Sequence, residues 1–307
     1  MLKYNEADQV AMIGLVRNMI NREDFQGAID LANKCEKYDD GYEEVYRFRM
    51  QAYDKLGKTD LAIDDAIRYF DKADDPESSY VEDIFKKHLS YALAKVNTMC
   101  NMDSDRMRWK MLKISIYEWS YDFVNAIAEY NKIEKEYGSA AMIYYYRSQC
   151  YNEIGDSAKA IEDITKCIEM GDGRDYCALA ERADFYREAG RYDEAIVDFS
   201  TMIDIAPMSA YAYYKRGWCY ELKGDDKTAM DNYNAGIDVD KEYPYIFLMR
   251  GELYLKQEKT DLANADFAEI LKQDTVARPG SCRQYALLFL GRNNEAIEWM
   301  DKIVASD

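Results

Sequence analysis

The chain has 307 residues, 48% hydrophobic and 32% charged with only 4 prolines, so it holds enough apolar material for a core and is not a disordered tract. A formal net charge of −18 points away from nucleic acid, which needs a basic face, and favours a neutral or basic partner. No stretch of 18 apolar residues predicts a membrane span, and the opening "MLKYNEADQV" lacks a basic-then-apolar signal region. Seven cysteines, an odd number with no C-x-x-C pair, fit a reducing compartment better than a disulfide framework or a zinc site, and a cytoplasmic location is expected.

Along the chain, stretches with apolar residues three and four apart come in pairs, each pair divided by a polar turn and then an alanine. Ala28 and Ala62 mark the first two pairs, over 9–42 and 43–76. Asp75-Pro76 then predicts a helix start. Val81, Ile84, Phe85, His88, Leu89, Ala92, Val96 and Met99 keep one stripe through the irregular segment 77–106. That stripe favours one long helix. A degenerate hairpin bent near Leu89-Ser90 is the alternative that keeps the direction of the later pairs, and this segment is where the array would bend or divide. Ala126, Ala160, Ala195, Ala229, Ala263 and Ala296 then mark pairs over 107–140, 141–175, 176–209, 210–243, 244–276 and 277–307. The last is truncated, because Pro279-Gly280 interrupts its first helix.

Adjacent marks are 33 to 35 residues apart except across the irregular segment. Such a period signals a repeat array rather than the two domains that length alone suggests. Gly155, Gly190 and Gly224 stand where a first helix should stop, and Asp, Ser or Thr follows to cap the second. Glu23, Tyr121 and Glu258 take the glycine's place in three turns. Each marker alanine faces a small residue of the first helix, such as Gly217, Gly251, Ala183 or Ser148, where the helices must cross closely.

Gly217, Tyr220, Gly224, Ala229 and Tyr233, with Ala183, Tyr186, Gly190, Ala195, Phe199 and Pro207 one period earlier, resemble the tetratricopeptide repeat (TPR) pattern. The resemblance covers about 9–76 and 107–307. It implies an all-α fold, a single right-handed α-solenoid of antiparallel helix pairs with about eight to nine units.

Arg49, Arg147, Arg182, Arg216, Arg250 and Arg283 share one slot in the first helices. Sixteen residues later come Asp65, Asp163, Asp198, Asn232, Asp266 and Trp299. Leu15 is matched with Leu31 and Lys113 with Glu129, so the two slots vary together. An ion pair across each hairpin is the economical reading. The family's clamp for C-terminal carboxylates uses Lys, Asn and Arg at other slots, and no full set is present.

The single histidine, His88, is expected to pack, and no metal site follows from it. Cys150 and Cys219 share one packing slot, Cys35 and Cys167 another, which marks them as core residues and not nucleophiles. No phosphate loop, nucleophile elbow or H-E-x-x-H is present, so neither enzyme activity nor a cofactor is expected.

A surface remains. Tyr211, Tyr214, Trp218 and Glu221 fall at i, i+3, i+7 and i+10 of one first helix. Equivalent stripes carry Tyr245 and Glu252, Asp184 and Arg187, and Tyr145, Gln149 and Asn152. In TPR proteins the first helices line a concave groove, so the resemblance implies that these side chains receive a peptide or partner segment with apolar anchors and basic residues. The competing reading packs the same aromatics between adjacent repeats. A scaffold acting through the array ends is the alternative function, with Trp299 either packed into the preceding unit or serving self-association.

Overall fold

The computed structural model describes residues 6–38, 42–73, 79–103, 107–171, 173–272 and 281–304. Asp75-Pro76 and Pro279-Gly280 lie outside the described residues. Within them every regular element is an α-helix. The chain divides into two compact units, Met1–Ser139 and Ala140–Asp307. The division thus falls after the fourth helix pair, and not in the irregular segment 77–106.

The first unit holds α1 (Glu6–Asn21), α2 (Phe25–Tyr38), α3 (Glu43–Lys55), α4 (Thr59–Lys72), α5 (Ser79–Lys87), α6 (Leu89–Met102), α7 (Met107–Trp119) and α8 (Phe123–Tyr137). The second holds α9 (Ala141–Glu153), α10 (Ser157–Met170), α11 (Tyr176–Glu188), α12 (Tyr192–Ile205), α13 (Ala210–Leu222), α14 (Asp226–Val239), α15 (Pro244–Lys256), α16 (Thr260–Lys272), α17 (Ser281–Phe289) and α18 (Asn293–Val304). Each odd helix packs on the even one after it, and within each unit that helix meets the next pair. The single exception is α5 with α6. Each unit is therefore an α-solenoid stacked from hairpins.

The hairpins share one turn geometry. At the end of α13, Gly224 N–H donates to Glu221 O (2.9 Å) and Asp225 N–H to Tyr220 O (2.9 Å), closing the helix with a left-handed residue, φ +81 at Gly224. The Asp225 carboxylate then accepts from Thr228 N–H and caps α14. Where glycine is missing the geometry persists: Glu23, Tyr121 and Glu258 adopt φ of 62, 59 and 61. The fold imposes the turn on side chains that disfavour it.

Behind each turn the helices cross at the small residues. A Cβ added to Gly217 would lie 2.6 Å from Tyr233 Cε1, and one added to Gly251 would lie 2.5 Å from Phe267 Cε1. The marker alanines from Ala28 to Ala296 are all buried. One cluster of the first unit joins Ile63, Ala66 and Phe70 of α4 to Val81, Ile84 and Phe85 of α5 and Trp109 of α7. In the second unit Ile161, Ile164 and Ile168 of α10 share a cluster with Ala178 and Leu179 of α11. Second-helix apolar residues are thus covered by the following first helix.

The long helix favoured by the stripe through 77–106 does not form. It breaks at His88, whose ψ of +40 leaves the helical region, one residue before the expected bend. Both pieces lie against α4 and α7, so together they fill the space of a hairpin without folding into one. The stripe survives the break because Val81, Ile84, Phe85, Ala92 and Val96 all enter the same cluster. Periodicity records which face is buried, and a single-residue break leaves it unchanged.

The ion pairs form as their covariation indicated. Nε and Nη2 of Arg49, Arg147, Arg182 and Arg250 grip the carboxylates of Asp65, Asp163, Asp198 and Asp266 in parallel, at 2.6 to 3.0 Å. Arg216 Nε donates to Asn232 Oδ1 (2.7 Å), Lys113 pairs with Glu129 (2.9 Å), and the Arg283 guanidinium lies 4.9 Å over the Trp299 ring. A further contact was not foreseen. The Nη1 of Arg49, Arg182, Arg216 and Arg250 reaches back to Asn33, Thr165, Ser200 and Asn234 of the preceding second helix. Each arginine thereby ties its own hairpin to the one before it, and the row is not free to bind a ligand.

Candidate partner-binding face

All the candidate groove residues lie in the second unit, on α9, α11, α13 and α15. In α13, Tyr211, Tyr214 and Trp218 share one side because residues three and four apart stack along a helix face. Tyr214 stacks on Trp218 (ring centroids 6.1 Å, planes 18° apart) and meets Tyr211 edge-on at 6.4 Å. It also contacts Tyr243 (6.1 Å) and Tyr245 (5.9 Å) at the start of α15, and these two rings are 5.7 Å apart. Five aromatic rings thus form one continuous surface across two repeats. Tyr211, Tyr214, Trp218 and Tyr243 are half-buried and Tyr245 is exposed. The aromatics therefore pack between adjacent repeats and still present part of their area. Burial, then neighbouring charge, pushes the Tyr214 hydroxyl up to about 12, so it stays a neutral donor.

The carboxylates divide into two kinds. Asp184 accepts from Tyr211 Oη (3.2 Å), Lys215 Nζ (2.9 Å) and Arg187 Nε (3.0 Å), so this part of the expected acidic edge is already neutralised. Arg187 also lies 4.3 Å over the Trp218 ring, with Lys215 Nζ at 5.5 Å. Glu221 accepts from Tyr233 Oη (3.0 Å), and half-buried Glu252 has Glu221 as its charged neighbour. Burial and then Glu221 raise Glu252 above the ordinary carboxylate range. Neither has an ion-pair partner among the described residues.

Tyr145, Gln149 and Asn152 on α9 form a separate neighbourhood. Tyr145 Oη (3.4 Å) and Gln149 Nε2 (3.3 Å) both donate to Glu181, and Asn152 Nδ2 donates to Glu188 (3.3 Å). Burial raises Glu181 above its ordinary value although these two donors oppose the shift. Sequence reasoning missed Glu181, Lys215 and Tyr243. The signal for Lys215 is its place four residues after Tyr211, on the same helix face. Tyr243 precedes α15, outside the helical stripe that was followed.

Cys35, Cys150, Cys167 and Cys219 are buried, and burial pushes the Cys219 thiol up to about 12, far from a nucleophile's range. His88 lies at the helix break, with Nε2 3.9 Å from Asp54. Among the described residues no group of three His, Cys, Asp or Glu side chains could hold a metal ion, and no helix is long and apolar enough to cross a membrane.

A tetratricopeptide repeat model matches residues 180–245, and another matches 141–170. The chain carries tetratricopeptide repeats. The chain is similar over 86 residues to DnaJ homolog subfamily C member 3 of Bos taurus and of Homo sapiens, each at 33% identity. That match covers 28% of this chain and 17% of each relative, so the chain spans a small part of the curated relatives it matches. Among solved structures, a tetratricopeptide repeat protein from Parabacteroides merdae superposes with a TM-score of 0.51 at 15% identity. The likeness spans 92% of this TPR chain and 98% of the other, and it is one of fold.

Proposed function

We propose that this TPR protein is a non-catalytic interaction module whose first-helix face in the second unit receives a segment of a partner protein. The observation that carries this reading is the five-ring surface of Tyr211, Tyr214, Trp218, Tyr243 and Tyr245, beside the uncompensated carboxylates of Glu221 and Glu252. Partly exposed Tyr and Trp are the side chains that dominate binding energy at interfaces. A lysine or arginine of the partner placed beside Glu221 and Glu252 offsets a charge that burial now penalises. The partner segment therefore combines apolar anchors with basic residues, in keeping with the net charge of −18. Asp184 and Arg187 adjoin this surface through Tyr211 and Trp218, while Tyr145, Gln149 and Asn152 hold the corresponding positions two repeats back, around Glu181 and Glu188.

The alternative, a scaffold acting through the array ends with Trp299 as the contact, gains no support from Trp299 itself, which is half-buried beneath Arg283. The two readings separate in a pull-down from the native cell. Trp218→Ala and Tyr245→Ala should abolish capture of the bound protein while solution mass and helicity stay unchanged. Capture that persists in both variants refutes the groove reading.

A further inference from the structure

Where successive first helices of the second unit meet, their carboxylates differ in charge compensation. Between α11 and α13, Asp184 is met by Lys215 Nζ (2.9 Å) from the next repeat as well as by Arg187. Between α9 and α11, Glu181 makes the same reach back across the repeats, but its partners there, Tyr145 Oη (3.4 Å) and Gln149 Nε2 (3.3 Å), are neutral donors. Glu181 and Lys215 occupy one slot, each 14 residues before its marker alanine, so one repeat puts a negative charge where the next puts a positive one. Glu181 thus joins Glu221 and Glu252, between α13 and α15, as a half-buried carboxylate without an ion-pair partner among the described residues. Each of the two places also has an exposed aromatic ring. Tyr146, 41% exposed, meets Tyr145 edge-on at 5.3 Å, and Tyr245, 37% exposed, stands two turns before Glu252 on α15.

We propose, resting on the reading of this face as a binding surface, that its occupant is an extended segment of another protein carrying two basic residues in fixed register. One basic residue sits at Glu181 and the other at Glu221 and Glu252, with apolar residues between them over Tyr214 and Trp218. Neighbouring helices lie about 8–10 Å apart, so the two carboxylate positions, one repeat apart on either side of the Asp184 junction, are separated by roughly 20 Å. An extended chain rises about 3.3 Å per residue and alternates its side chains, so basic residues about six positions apart cover the span from one side of the chain. The middle of the face sets the rest of the pattern. Lys215 and Arg187 lie over the Trp218 ring, and a third cation placed there would meet both. A second copy of this chain, with its net charge of −18, is the wrong electrostatic partner for three uncompensated carboxylates.

Labelled peptides titrated against the full chain by fluorescence anisotropy test this register. Each carries leucine and tyrosine anchors with two lysines three, six or eleven positions apart, and a control peptide carries one lysine. The six-position peptide should bind about tenfold more tightly than the others. Glu181→Gln keeps an acceptor for Tyr145 and Gln149, and should bring the six-position peptide down to the affinity of the control with helicity unchanged. Gln149→Lys should do the same, by giving Glu181 an internal cation as Lys215 does for Asp184. The control peptide should bind Glu181→Gln as it binds the unaltered chain and should lose affinity in Tyr245→Ala. If the control binds as tightly as the six-position peptide, or if Glu181→Gln leaves that peptide unaffected, the register is wrong while the binding face stands. A preference for eleven positions, which place both lysines on one side of a helix, would overturn the extended segment. Absence of binding by every peptide would overturn both the register and the face. A dimer of the unaltered chain that Glu181→Gln dissociates would make the occupant a second copy and would also overturn the proposal.

Discussion

At the scale of single residues, two backbone facts determine how well each hairpin closes. The left-handed turn position is occupied by glycine in most hairpins, but by Glu258 with φ 61 between α15 and α16. A non-glycine side chain there costs about 1–2 kcal/mol, partly offset by the greater freedom that glycine loses on folding. Glu258→Gly should therefore raise stability by about 0.5–1 kcal/mol in a urea melt. Gly217→Ala should do the reverse, since its Cβ meets Tyr233 at 2.6 Å, and overpacking of this kind costs about 1–3 kcal/mol. Both positions were legible in the sequence, because glycine, or its absence, recurs at a fixed offset from the marker alanine. The state of individual carboxylates was not. Asp184 and Glu252 occupy similar stripes, and beyond the Arg187 three residues on, only the contact across repeats shows that Lys215 also neutralises Asp184 while Glu252 has no such partner among the described residues.

Glu252 gives a pH prediction at this same scale. Its folded pKa is raised by burial and then by Glu221, so the folded state holds the proton more tightly than the unfolded chain. Its contribution to stability is therefore complete below the unfolded value, about 4.5, and is lost as pH rises through the folded value. Glu252→Gln should match the unaltered protein in the most acidic melts and exceed it at pH 7. A difference that grows as pH falls would contradict the assignment.

At the scale of elements, Arg49, Arg182, Arg216 and Arg250 fix register, each holding its own second helix and the one before it. Asp198→Ala leaves the Arg182 guanidinium with Thr165 Oγ1 at 3.4 Å as a hydrogen-bond acceptor and the Tyr186 ring beside it, and should cost about 3 kcal/mol. The first hairpin shows the other solution, Leu15 with Leu31. Arg182→Leu with Asp198→Leu should thus cost less than Asp198→Ala alone, and a double-mutant cycle would measure the coupling. The hairpin pairs could be read from covariation within one chain because every repeat samples the same contact. The Nη1 contacts could not, since their partners Asn33, Thr165, Ser200 and Asn234 vary and Thr165 is offset by one residue. The break at His88 escaped for a related reason, as it changes the direction of the helix and not the face that is buried.

Within each unit, stacking hairpins buries most apolar side chains and leaves the first-helix faces available for partners. The −18 charge favours basic partners, and salt should weaken their binding. The central claim is that the aromatic face of the second unit recognises segments with apolar anchors and basic residues. The most direct measurement is a selection of random displayed peptides on the full chain, with the recovered peptides titrated against the unaltered protein, Tyr245→Ala and Glu252→Lys. The account predicts recovered peptides rich in lysine or arginine beside apolar residues, bound at least tenfold more weakly by either variant. Acidic peptides, or peptides that bind both variants as tightly as the unaltered chain, would contradict it.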